Sequence, residues 1–237
     1  MEDLTGGQFP PSALRYRNAA ITSGGLDRLN GLPRNTHGNY QFIRSPTTLL
    51  DGLAWLPDGF FDLVYGQCLL LTLPKKDYKA MVSHAWRVCK PGGYVELTEL
   101  DPILYAQFPL GKLTRWLNQR MLCVTKKQRL DPTMARHLQD LFFELLIQDQ
   151  PSRQRQHYEV AYTSLPLGVW GGRIGVTFRD DLHDLWDALK VATLPVKSEE
   201  DPLSEQEWED MTGTLDDTLD TEKCFMNLYQ FYTKKHA

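Results

Sequence analysis

The sequence predicts an α/β fold built around one strand–helix–strand crossover. Three observations predict it. Residues 61–65 (FDLVY) and 94–99 (YVELTE) are short runs rich in aromatic and β-branched residues, bounded by turn signals, as buried strands are. Between them Tyr78, Met81, Val82, Ala85, Trp86, Val88 and Cys89 recur at helical spacing. Lys90-Pro91-Gly92-Gly93 then ends the helix: Pro91 cannot donate a hydrogen bond and Gly92 tolerates positive φ. A connection of this length implies two parallel neighbouring strands.

The elements follow in order. The first 38 residues are punctuated by Gly6-Gly7, Pro10-Pro11 and Gly24-Gly25 and read as mostly irregular. Residues 13–22 are the one stretch there with strand character. Residues 39–44 (NYQFIR) alternate as a short strand does. Residues 49–56 mix apolar side chains with Asp51-Gly52, and Pro57-Asp58-Gly59 makes a turn before FDLVY. Asp77 is the expected N-cap of the crossover helix.

Residues 112–127 and 134–148 carry helical periodicity. Residues 158–165 alternate as a strand, and residues 167–175 read as a tight loop or hairpin corner. Residues 181–193 read as a helix, Ser204 as the start of another, and residues 221–234 as helical. The expected domain plan is an irregular segment over 1–38 and one domain over 39–237, with a helical insertion at about 112–148.

Composition narrows the function classes. A net charge of −4 over 237 residues argues against a broad nucleic-acid or anionic-membrane surface, which needs concentrated positive charge. Arg153, Arg155 and His157 form only a small basic patch in a loop. The four cysteines, Cys68, Cys89, Cys123 and Cys224, include no Cys-x-x-Cys pair, so neither zinc ligation nor redox chemistry is indicated. No run approaches the ~18 apolar residues of a membrane span, and a reducing cytoplasmic or nuclear setting is expected. There is no G-x-S-x-G elbow and no phosphate loop. His84 and His137 read as helix-surface residues. Glu96 and Glu99 are two strand residues of opposite or adjacent exposure, which argues against a paired-carboxylate acid/base site.

In doubly wound sheets ligands sit beyond the carboxyl ends of the strands. That places Gly66, Gln67 and Cys68 at the lip of any site, with residues 98–101 beside them. Glu99 and Asp101 could orient a substrate there.

The segment from Arg87-Val88 through Lys90-Pro91-Gly92-Gly93 into Tyr94-Val95-Glu96-Leu97 resembles the pattern R-V-L-K-P-G-G of class I S-adenosylmethionine-dependent methyltransferases. Residues 50–64 resemble the family's L-x-G-L-P-F-P-D-x-x-F-D-x-V, and residues 166–172 are similar to a fungal-type branch. The resemblance implies a Rossmann-like class I methyltransferase sheet with helices on both faces, and S-adenosylmethionine as cofactor. It also implies methyl transfer to an unidentified small-molecule or macromolecular acceptor. Aligned to the family, Thr48 would contact the adenine amino group, Leu49 would wall the ring, and Gly66 and Gln67 would stand where the branch carries Gln-Arg. Trp170, Phe178 and the 112–148 insertion could cover an apolar acceptor, or be plain core.

The chain departs from the family at the cofactor loop. The family carries Asp/Glu-x-Gly-x-Gly-x-Gly after its first strand, and no such loop occurs here. Gln8-Phe9-Pro10-Pro11-Ser12 is similar to the segment before the second strand, which makes Asp27 the candidate ribose-binding acid. The first strand and its helix are thus expected to be missing or degenerate. FDLVY would then have an open edge, to be covered by residues 13–22, by a partner chain, or by nothing. Two functions stay open: a methyltransferase, truncated or impaired, and a non-catalytic methyltransferase-like scaffold or partner subunit.

Overall fold

The computed structural model describes residues 19–24, 40–45, 48–146, 158–193, 209–210 and 213–236. Two sheets are present among them. β1 (Ala19–Gly24) pairs in parallel with β2 (Tyr40–Ser45), Ala19 opposite Tyr40 and Gly24 opposite Ser45. The second sheet has the order β3-β4-β6-β5, from β3 (Phe61–Gln67), β4 (Cys89–Ala106), β5 (Tyr158–Pro166) and β6 (Cys224–Lys234). β3 and β4 are parallel neighbours, with Leu63 opposite Tyr94, Tyr65 opposite Glu96 and Gln67 opposite Thr98. The crossover expected from the sequence is present, and α2 (Lys75–Val88) forms it. β6 runs antiparallel to both β4 and β5.

The turn chemistry explains the crossover. Gly92 has φ +83° with open space around it, and its N–H donates to the Lys235 carbonyl at 2.6 Å. Gly93 has no room for a side chain, since a Cβ there would lie 2.8 Å from the Asp62 carbonyl oxygen and 2.9 Å from Cys89 Sγ. The Lys235 ammonium reaches the carbonyls of Trp86 and Cys89, both at 2.7 Å, and so caps the end of α2. An ion pair between Lys90 and Asp62 and another between Arg87 and Asp58 tie the turn to the entrance of β3.

Helices pack on both faces of the second sheet, around two cores. On one face Val95, Leu97 and Phe231 meet Tyr78, Met81, Val82 and Ala85 of α2 and Leu138, Leu141 and Phe142 of α4 (Leu138–Leu146). Phe142 stacks on Phe231 with ring centroids 4.3 Å apart. Each such side chain contributes about 1.5–3 kcal/mol on burial. On the other face, toward the far end of β4, Leu104, Cys224 and Met226 meet three helices. These are α3 (Lys112–Lys127), α5 (Gly172–Thr193) and α6 (Leu215–Glu222), contributing Leu117, Met121, Leu182, Trp186, Leu215 and Leu219.

Several expectations are corrected. The helix expected over residues 221–234 stops at Glu222: Lys223 ends α6 in the left-handed region at φ +51°, and β6 follows. β6 lies between β4 and β5 and is buried on both faces, which erases the alternation that would have marked it. Residues 49–54 form a short helix, α1 (Leu49–Ala54). Pro74, not Asp77, precedes α2, and Asp77 sits in its first turn, where a carboxylate suits the helix dipole. The 134–148 helix opens with a 3-10 turn at Met134–His137. Residues 167–175 are no hairpin corner: Gly168 turns at φ +107°, a 3-10 turn follows, and α5 starts at Gly172, well ahead of residue 181. The patch at Arg153, Arg155 and His157, the Ser204 helix start and Asp27 lie outside the described residues.

Candidate functional site at the carboxyl end of β3

β3 ends against β4 at Gly66, where a Cβ would stand 3.0 Å from Leu97 Cδ2 and 3.4 Å from Leu69 Cδ1. The last ladder bond runs from Cys68 N–H to the Thr98 carbonyl at 2.9 Å. Cys68 then adopts φ +52°, a left-handed conformation unfavourable for a side chain with a Cβ. This turn aims the next two amides, Leu69 and Leu70, back at β4. Successive N–H groups arranged so make an anion-binding concavity.

The group that fills it is the chain's own carboxyl. Glu99 is fully buried on β4. Its Oε1 accepts from Leu69 N–H at 3.2 Å and Tyr78 O–H at 3.1 Å, and its Oε2 accepts from Leu70 N–H at 3.1 Å. Burial pushes the Glu99 carboxyl up to about 7, against the pull of these three donors. The Tyr78 hydroxyl is pushed well up in turn, by burial first and then by the neighbouring carboxylate.

Two residues on, Asp101 is also fully buried. The Arg136 guanidinium reaches both of its oxygens, at 2.7 and 3.2 Å, and the Tyr105 hydroxyl donates to it at 2.7 Å. Arg136 also lies 5.7 Å from the Tyr105 ring centroid, as a cation over an aromatic face. Neither Glu99 nor Asp101 is therefore placed to orient a substrate; both are occupied inside the fold. Beside them the hydroxyl of Ser164 donates to Asn227 at 2.8 Å, and Tyr162 lies against Tyr229 with centroids 5.6 Å apart. Hydroxyls, amides and aromatic rings thus line this end of the sheet.

The four aligned residues divide. Gln67 is exposed at the β3 exit, its side-chain oxygen accepting from Tyr65 O–H at 3.0 Å. At Gly66 a Cβ would sit tightly against the Leu97 side chain. Thr48 N-caps α1, with Oγ1 accepting from Asp51 N–H at 3.2 Å and donating to Asp51 Oδ2 at 2.7 Å. Leu49 and the β3-exit residue Leu69 both pack on the first core. As a seat for S-adenosylmethionine these residues fit incompletely: one exposed amide is available, while the hydroxyl at Thr48 and the space at Gly66 serve the fold.

Trp170 and Phe178 prove to be structural. The Trp170 indole N–H donates to the Leu167 carbonyl at 2.8 Å, its backbone N–H donates to Asp220 at 3.0 Å, and Phe178 packs on the second core. His84 is half-buried beside Arg87, and His137 is exposed. Among the described residues no cluster of His, Cys, Asp and Glu could hold a metal ion, and no helix is long and apolar enough to cross a membrane.

No family model matches the chain, and no curated protein matches it. Solved structures of α/β methyltransferases do, at low identity. One is phosphoethanolamine N-methyltransferase 2 of Haemonchus contortus, bound to phosphomonomethylethanolamine and S-adenosylhomocysteine. It is 11% identical over 85% of this chain and 39% of that one, with a TM-score of 0.44. A SAM-dependent methyltransferase of Archaeoglobus fulgidus is 12% identical over 84% of this chain and 70% of that one, with a TM-score of 0.39. A putative methyltransferase of Bacillus halodurans is 12% identical over 86% and 74%, with a TM-score of 0.41. The chain spans about two fifths of the length of the Haemonchus enzyme. These are likenesses of fold.

Proposed function

We propose that this chain serves methyl transfer from S-adenosylmethionine to a nucleophilic nitrogen, oxygen or carbon of an acceptor. The observation that carries the reading is the parallel β3–α2–β4 crossover through Lys90-Pro91-Gly92-Gly93, with β3 leaving the sheet where Gln67 stands opposite Thr98. When bound, S-adenosylmethionine supplies an electrophilic methyl group. The chain's own part would be to place and shield the reactants. Gln67 and the aligned residues Thr48, Leu49 and Gly66 are the proposed cofactor side; Tyr162, Tyr229 and Ser164 stand on the neighbouring strands β5 and β6. Neither Glu99 nor Asp101, both buried within β4, is positioned as a general base, so rate enhancement would come from proximity and orientation. A cytoplasmic or nuclear setting suits the free cysteines.

A second reading, a non-catalytic methyltransferase-like scaffold or partner subunit, is favoured by one specific observation. The amides that curl at the β3 exit are already filled by Glu99, and Thr48 serves as a helix cap. Calorimetric titration of the folded chain with S-adenosylhomocysteine separates the two. Saturable binding in the micromolar range supports methyl transfer; no heat at millimolar ligand overturns it in favour of the scaffold.

A further inference from the structure

We propose that β5 is a self-association edge, on which a second copy of this chain adds its own β5 in antiparallel register. β5 pairs with β6 through nine consecutive residues without a register shift, and its other edge is unpaired among the described residues. Residues 158–164 are all exposed. Three of them are large and apolar or aromatic on one face: Tyr158 at 36% exposure, Val160 at 47% and Tyr162 at 64%. Proteins protect such edges with lysine, proline or a bulge. β5 has no lysine and no bulge, and its proline is the last residue, Pro166. β3, the other end strand, is half-buried along most of its length.

The strand is self-complementary. A two-fold axis through an antiparallel strand pair always sets one residue against itself. The register that pairs all nine residues centres on Tyr162. It sets Val160 opposite Ser164 of the second copy, Ala161 opposite Thr163 and Tyr158 opposite Pro166. The one charged side chain of the strand, Glu159, meets Leu165 and no like charge. Tyr162 already leans on Tyr229, so the axis would carry a row of four tyrosines. The result is a continuous sheet of eight strands.

Sedimentation velocity over a concentration series tests this. The average mass should climb from 27.3 kDa toward twice that value. Val160→Lys should hold the chain at the monomer mass with an unchanged circular dichroism spectrum. The register is tested separately in a Cys123→Ser background. Tyr162→Cys should form a covalent dimer under mild oxidation, because directly opposed residues lie within disulfide reach, with Cα atoms about 4.5–5.5 Å apart. Val160→Cys, which faces Ser164, should not. A monomer at every concentration, a dimer indifferent to Val160→Lys, or equal crosslinking of the two cysteine variants would overturn the proposal.

Discussion

Replacing Glu99 by glutamine should remove a pH dependence of stability that the wild type carries. The unfolded chain titrates this carboxyl near 4.5, whereas burial holds it near 7 in the fold. Between those values the folded state keeps a proton that the unfolded state has lost, so folding stability must fall as pH rises through the window. At about 1.4 kcal/mol per pH unit the loss reaches about 3 kcal/mol by pH 7 and is complete above it. Glutamine cannot ionise, and its amide N–H₂ must face one of the donors now satisfied by an oxygen, at a cost of about 1–3 kcal/mol. Glu99→Gln should therefore be less stable than wild type at pH 5 and close to it at pH 8.

Urea unfolding followed by tryptophan fluorescence at pH 5, 6, 7 and 8 measures this directly. The difference between the two proteins is the informative quantity. His84, whose pKa burial lowers, slopes the other way through its own window, and half-buried Glu96 slopes the same way as Glu99. Both contributions cancel between wild type and variant. A difference that stays constant from pH 5 to pH 8 would refute the assignment of a buried, proton-holding carboxyl to Glu99.

Three further outcomes are expected. Arg136→Ala strands the buried Asp101 carboxylate with only Tyr105 and the Ile103 amide as side-chain partners, and should cost about 3–5 kcal/mol in urea unfolding; Asp101→Asn together with Arg136→Ala should recover part of it. Gly93→Ala forces a methyl group against the Asp62 carbonyl and Cys89 and should cost about 1–3 kcal/mol, while the same change at Gly92, open but at φ +83°, should cost about 1–2 kcal/mol, both read from denaturation midpoints. Thr48→Val removes the α1 cap and should cost about 1 kcal/mol. If Thr48 also contacts the cofactor, the same variant should weaken S-adenosylhomocysteine in calorimetry, and Thr48→Ser should restore both properties.

The crossover was legible because each of its parts carries a local signal. FDLVY sits between a turn and a left-handed exit, α2 has one clean apolar face, and Pro91-Gly92-Gly93 breaks the helix, opening β4 with a register shift before Tyr94. α3 and β5 were legible for similar reasons. β6 was not. Its residues 224–234 read as a helix because Cys224, Met226 and Phe231 are buried on one side and the other, and a strand buried on both faces loses its two-residue period. The entry to α5 was hidden by glycines that serve the turn at Gly168 and the helix start at Gly172.

The candidate site was legible only in outline. Position along the sheet put Gly66, Gln67, Cys68, Glu99 and Asp101 at strand exits; the first three are at the end of β3, whereas β4 runs on to Ala106 and holds Glu99 and Asp101 within it. What each does depends on partners far away in sequence. Glu99 is about thirty residues from the amides it accepts, and Arg136 is thirty-five from Asp101. No periodicity or spacing encodes such contacts, so carboxylates that looked available for substrate turned out to be internal. A fully polar residue on the core-facing parity of β4, shared with Val95 and Leu97, was the one available hint for Glu99.

The account depends on β3 and β4 being parallel neighbours in one sheet. A Tyr65→Cys, Glu96→Cys double variant, oxidised and peptide-mapped beside a Tyr65→Cys, Tyr94→Cys control, tests that register most directly. The account predicts a 65–96 disulfide formed readily and a 65–94 disulfide formed poorly; the reverse preference, or none at either pair in a folded protein, would contradict it.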